Sequence, residues 1–467
     1  MKLQKKTTAD IQKTSEKYRP VAARGSLLFF VMNSIFRLHS FYMFSLNAFV
    51  VTFLHGIDLV SEPKEAAPKA KKTGAGFGGL MSGLGKKKGK MSLMDRFRKA
   101  ARKSVMVKRM AWDVDMLHAA GRPSKGKIER LPDLSDEELE KRCVVLEDSI
   151  SKVVFNYLRR GLFDKDKLTV ATQLCLKILL KSGELTAEAV DILVMGPLSN
   201  KPGNNGVLAE WIPQACWERV KGLEVLEQFK SLGDNMISDC DDWRVWFDCE
   251  KPEEAEMPGD YINLDTFSKI LLLRAMRPDR VTAELTAFIG DKLGKTFINQ
   301  PAFDMEKTYD ETSPATPVFF VLFPGVDPTK LVESLGDKKG FTAANGKFSN
   351  ISMGQGQEEN AEATMKRFSN QGGWVFLQNV HLMPGWLSVL ERTLEKCSAQ
   401  AHDDFRCFIS AEPPPIPSWK TIPESLLQSC IKVSNEAPSD VKSNLRRAWA
   451  TFNQERISSC PKEVEFK

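Results

Sequence analysis

"GGWVFLQNVHL", Gly372–Leu382, decides how the second half of this 467-residue chain folds. Two glycines open an uninterrupted apolar run, Trp374–Leu377. Such a run is what a strand needs when both faces of a parallel sheet are covered. In α/β proteins that hydrolyse nucleotides, this kind of strand often ends in one or two acids that hold magnesium and polarise water. Here it ends in Gln378 and Asn379. A side-chain amide orients water but does not neutralise a divalent cation.

Similar runs flank this stretch. "TPVFFVLFPG" (Thr316–Gly325), "FSNISMGQGQ" (Phe348–Gln357), "FRCFISAE" (Phe405–Glu412) and "SCIKVSNEAP" (Ser429–Pro438) each read as a strand. Between them, "EENAEATMKRFSNQ" and "GWLSVLERTLEKCSA" carry helical spacing. Strand and helix in alternation predict a doubly wound, largely parallel α/β subdomain, placed at residues 251–436. The earlier chain reads as helices. "LSDEELEKRCVVLEDSISKVVFNYLRRGLF" has Ser135 as cap and Glu138 three residues on, the pattern of a capping box. The fold class is therefore α/β plus all-α, a helical region followed by the α/β subdomain.

Composition narrows the function classes. Apolar content of 42% and charged content of 27% suit a soluble globular chain with room for two to four domains. The nine cysteines form no CxxC pair, and the five histidines form no HExxH, so neither zinc nor another metal is expected. Fifteen Lys or Arg against Glu65 and Asp95 between Pro63 and Met110 put a local excess of 13 positive charges there. Against the net +6, the rest of the chain is acidic at −7. Residues 63–92, rich in lysine, alanine and glycine, bury too little apolar surface to offset chain entropy and read as a disordered insertion. Few aromatics interleave the basic segment, which disfavours base stacking, and a solvated loop is the expected outcome. Ser26–Ile57 is long and apolar, but Arg37, His39, Asn47 and His55 interrupt it, so buried helices are expected rather than a membrane span. The polar first 25 residues carry no secretory signal.

Three motifs bear on chemistry. "GDKLGKT" (Gly290–Thr296) approaches a phosphate loop but is one residue short, and it follows a helical run rather than a strand. The turn after the first strand, "FPGVDPTKL", is where such a loop belongs. There the second glycine, lysine and hydroxyl positions fall on Lys330, Leu331 and Val332. Pro324 and Pro328 donate no N–H, and Asp327 sets a negative charge where phosphate would rest. Glu412 is a possible replacement acid, and His381 a possible base. Each reads better as a strand-end or packed residue, since nothing assembles nucleophile, base and oxyanion donors.

These residues resemble a known family. "YRPVAARGSLLFF", "FYMFSLNAFVVTF", "YLRRGLFDKDKL", "LLLRAMRPDRV", "SPATPVFFVLFPGVDPT", "GGWVFLQNVHLMPGWL" and "FRCFISAEPPP" followed by "LLQSCIKVSNEAP" occur in the same order in dynein heavy chains. The likeness is to axonemal chains of the outer-arm type and covers nearly everything except the lysine/glycine insertion. It implies an AAA+ (P-loop-like) frame. Residues 1–62 and 93–250 would be helical and close the fifth ring module. Residues 251–436 would be the large subdomain of the sixth, and 437–467 the start of its lid.

The family hydrolyses Mg·ATP chiefly in its first module, and the resemblance implies no hydrolysis in the fifth or sixth. Gly325, Asp327, Thr329, Gln378 and Asn379 are thus expected to mark a degenerate nucleotide site, with no catalytic residue and no cofactor of its own. The implied partners are other ring modules and, through the whole complex, intermediate and light chains and microtubules of a cilium or flagellum, with no nucleic acid or membrane. Counterparts of the tail, linker, first four modules, stalk and microtubule-binding tip are missing. A split gene, a shortened gene model or an excised fragment would each account for that. Two rivals remain: a stand-alone nucleotidase using Lys295 and Glu412, and an adaptor acting through the basic loop.

Overall fold

The structure is a computed structural model that describes residues 15–61, 135–197, 199, 203–299, 303–323, 327–434, 436 and 441–450. The insertion at 63–92, the basic segment as a whole and most of 437–467 lie outside these residues. In chain order the helices used below are α1 (Arg19–Ser34), α2 (Leu46–Ser61), α3 (Asp136–Gly161), α4 (Asp164–Ser182), α5 (Ala187–Met195), α6 (Gln214–Leu223), α7 (Leu232–Ser238), α8 (Cys240–Asp248), α9 (Thr266–Met276), α10 (Val281–Leu293) and α11 (Met305–Asp310). There follow β1 (Val318–Val321), α12 (Thr329–Lys339), β2 (Phe348–Ser352), α13 (Glu358–Gln371), β3 (Trp374–Gln378), α14 (Leu387–Ala399), β4 (Arg406–Ala411), α15 (Glu424–Ser429), β5 (Ile431–Ser434) and α16 (Val441–Ala450).

All five expected strands form, and they make one sheet of order β2-β3-β4-β1-β5. Every pairing is parallel. The connection from β1 runs one way across the sheet, and those from β2, β3 and β4 run the other way. With right-handed crossovers, α12 covers one face while α13, α14 and α15 cover the opposite face.

On the α12 face, Val318, Phe320, Trp374, Phe376, Phe408 and Val433 interlock with Val332 and Leu335. Trp374 sits at its centre, stacked on Phe341 at 4.7 Å and 9°. On the other face of β1, Phe319 meets the edge of the Phe41 ring at 5.4 Å, and the Phe163 ring meets Phe323 at 5.2 Å.

Chain contacts divide the protein into two compact units, Met1–Val31 with Lys165–Ala302, and Met32–Asp164 with Phe303–Lys467. Lys165–Ala302 belong with the helical unit, and the sheet's unit takes up the chain again at Phe303. The physical reason is in α9, whose Ile270, Leu271, Leu272 and Leu273 are all fully buried and whose neighbours are α6, α5 and α10. Within that unit, Arg277 donates to the carbonyls of Phe247 at 2.5 Å and Cys249 at 3.0 Å, satisfying the open end of α8. The nearby Arg280 forks onto Glu253. These contacts give the "RPDR" run a structural task.

The sheet's unit recruits sequence-distant helices. At the start of α3, the Ser135 side chain accepts from the Glu138 N–H, and Glu138 returns a bond to the Ser135 N–H at 3.0 Å. The capping box is formed as its spacing indicated. The apolar stretch 26–57 falls into α1 and α2 with a break between them. Among the described residues no helix is long and apolar enough to cross a membrane.

At the other end of α3, Gly161 packs against β5. A Cβ there would lie 2.8 Å from the Lys432 Cβ. Gly161→Ala is accordingly expected to destabilise the chain by about 1–3 kcal/mol, the usual range for overpacking. A drop in the urea midpoint at unchanged slope would register it, and an unaltered midpoint would show that the helix end yields.

Candidate functional site

The carboxyl ends of β1, β3 and β4 face one edge of the sheet. Connections leaving β1 and β4 diverge in opposite directions, which opens a crevice where α/β proteins commonly hold ligands. The positions singled out from sequence gather here, apart from Gly325, which lies outside the described residues.

The turn after β1 leads into α12. Asp327 turns its carboxylate onto the helix start, where Oδ1 accepts the Thr329 N–H at 2.9 Å. The first turn of a helix offers unpaired N–H groups and a partial positive charge, the usual seat for a phosphate. Here the protein's own carboxylate occupies part of that seat.

Thr329 is also engaged through its side chain, because Gln378 Nε2 donates to Thr329 Oγ1 at 2.6 Å. The strand-end amide is thereby tied to the helix rather than aimed at solvent or a metal. The Gln378 carbonyl accepts from the Met353 N–H at 2.8 Å, extending the β2–β3 pairing past the strand end.

Asn379 has φ 57° and ψ 40°, and among the described residues it is the one non-glycine with positive φ. Asparagine tolerates this left-handed turn better than most side chains do. Its N–H donates to the hydroxyl of buried Ser410 on β4 at 3.3 Å. The turn then delivers His381, whose Nδ1 accepts the Glu412 N–H at 3.2 Å. Its Nε2 lies 3.8 Å from Glu412 Oε2. Burial holds the imidazole below its ordinary value, with the Glu412 carboxylate pulling the other way.

Glu412 itself is 68% exposed at its side chain. Ser410 and the side-chain contact of His381 to the Glu412 N–H carried little signal in the sequence. A serine inside an apolar strand run gives no hint of the neighbouring turn it holds.

Asn379→Gly is expected to leave thermal stability nearly unchanged. Asn379→Ala is expected to cost about 1 kcal/mol, since alanine gains nothing from a left-handed backbone. Equal melting temperatures for the two variants would show that the turn relaxes.

"GDKLGKT" belongs to the other compact unit. Gly290–Leu293 complete α10, Gly294 caps it with φ 101°, and Lys295–Phe297 form a short 3-10 turn. A helix C-terminus presents carbonyls and the negative end of its dipole, the wrong polarity for phosphate. Lys292 is paired with Glu184 at 2.7 Å.

A Mg·ATP complex would need free N–H groups around its phosphates and at least one inward carboxylate beside its metal. The described residues of the crevice offer one first-turn amide already bonded to Asp327, a side-chain amide bonded to Thr329 and one outward glutamate. Among them no inward carboxylate stands ready for the metal.

Comparison with known proteins agrees with this frame. Residues 313–434 match the family described as dynein heavy chain region D6 P-loop domain. The alpha chain of the flagellar outer-arm dynein of Chlamydomonas reinhardtii is 41% identical over 487 residues, covering 100% of this chain and 11% of that protein. The corresponding beta chain is 36% identical, covering 100% and 9%. Human dynein axonemal heavy chain 9 is 35% identical, covering 99% and 9%. The chain thus spans about a tenth of the length of the curated relatives it matches.

Proposed function

This chain belongs to the dynein heavy chain family, and from that premise we propose that it serves a ciliary or flagellar axonemal motor as a ring segment that does not hydrolyse ATP. Its task is to complete the ring and to pass rigid-body shifts between neighbouring modules, which packed modules with discrete interface arrangements are able to do. Its immediate partners are other modules of the heavy chain. Intermediate and light chains and microtubules are reached through the whole complex.

The observation that carries the reading is the closed pair of contacts at the start of α12, Asp327 on the Thr329 amide and Gln378 on the Thr329 hydroxyl. One first-turn amide that a phosphate would use and the strand-end side chain beside a metal position are engaged from within. The relatives named for outer-arm and axonemal dyneins support the setting.

The purified chain is expected to show no Mg·ATP turnover above background and no micromolar binding by calorimetry. Gln378→Glu is expected to restore neither, because the Asp327 carboxylate still lies on the Thr329 amide. Micromolar Mg·ATP affinity abolished by Lys295→Ala would instead establish the stand-alone nucleotidase.

A further inference from the structure

Helices α13 and α14 lie side by side on one face of the sheet, and between them runs a groove of about 400 Å³. Its floor is made of small hydroxyls, Ser369 and Thr393, both nearly buried. Its rim carries Lys366 from α13 and Arg392 and Lys396 from α14. The one acid lining it, Glu362, is already engaged. Glu362 Oε1 accepts from Trp386 Nε1 at 3.3 Å, and Oε2 lies 3.3 Å from Lys366 Nζ.

Arg392 and Lys396 are exposed and stand four residues apart on one ridge of α14, where like charges disfavour a helix by a few tenths of a kcal/mol. Neither has an ion-pair partner among the described residues. Lys396, in the last turn, complements the helix dipole, whereas Arg392 stands outside that turn.

We propose that this groove is a docking site for an acidic peptide segment of a partner protein, its carboxylates received by Arg392 and Lys396. Charge complementarity selects the occupant. The groove is concave, so a flat lipid surface meets the rim alone. No aromatic side chain lines it to stack a base. The site is separate from the crevice beside β1 and β3, and the proposal does not depend on the motor reading.

The test is fluorescence anisotropy of a labelled octaglutamate peptide with the full 467-residue chain at low salt. Arg392→Glu combined with Lys396→Glu is expected to weaken binding about tenfold and to flatten its salt dependence. Lys338→Glu, an exposed cation on α12, is expected to leave it unchanged. Because the exchanged positions are exposed, circular dichroism should match wild type; Lys366→Glu is the second probe should the double variant misfold. Three results overturn the proposal: no measurable binding by wild type, equal binding by the double variant (which assigns the peptide to the basic segment), or an equal charge-dependent gain for anionic vesicles or oligonucleotides.

Discussion

Lys432→Met is expected to make the sheet's unit more stable at neutral pH, by roughly 2–4 kcal/mol. Lys432 lies on β5 opposite Phe319 of β1 and is 2% exposed. Its amine has a 3.2 Å contact to the Cys430 carbonyl and sits 4.3 Å from the centre of the Phe44 ring. Among the described residues no carboxylate pairs with it. Burial pushes its amine down to about 7 from an ordinary value of 10.5.

Above pH 10.5 neither the folded nor the unfolded chain carries this proton, and burial costs nothing electrostatic. As the pH falls from there to about 7, the unfolded chain is protonated and the folded chain is not. Stability is lost across that window, and the loss is constant below it. Methionine keeps a similar unbranched stem and removes the amine. Its advantage should therefore be complete at pH 6–7 and vanish near pH 10.5. Urea unfolding of both proteins across that range measures it. A variant no more stable than wild type at pH 7 would mean that the Phe44 and Cys430 contacts outweigh desolvation.

Trp374→Ala is expected to have the opposite sign and a similar or larger size, about 3–5 kcal/mol of lost stability. The Trp374 ring is fully buried, with Tyr309, Phe341 and Phe408 at 5.0, 4.7 and 5.4 Å. Truncation leaves a cavity at the centre of one sheet face that three rigid rings cannot collapse to fill. For a domain stable by roughly 5–15 kcal/mol, this is a large share of the total.

Trp374→Phe separates packing from polarity. The indole Nε1–H has no hydrogen-bond partner among the described residues, so its removal relieves an unpaired buried donor. Phenylalanine is thus expected to lose less than half of what alanine loses. Equal losses for both would show that a phenyl ring recovers none of the packing of the indole.

The strands were legible because Val318–Val321, Trp374–Leu377 and Arg406–Ala411 are apolar runs bounded by turns, the local mark of a strand covered on both faces. The Ser135–Glu138 cap was legible for a similarly local reason. The link from Gln378 to Thr329 spans 49 residues, and nothing within either segment announces it. Lys432 is a clearer case. A lysine in "SCIKVS" reads as a solvated strand position, and only the close approach of Gly161 and Phe44, from far upstream, seals it in. α9 lies ahead of the first strand in sequence, and its burial is directed toward α5, α6 and α10. Periodicity records that a face is covered, but not by which neighbour.

The carboxylate of Asp327, resting on the first amide of α12, has a consequence for energy sensing. On the ring-segment reading proposed above, a part that supplies its own anion would hold one shape whether the surrounding adenylate pool is charged or spent. Strokes passing through it would originate elsewhere.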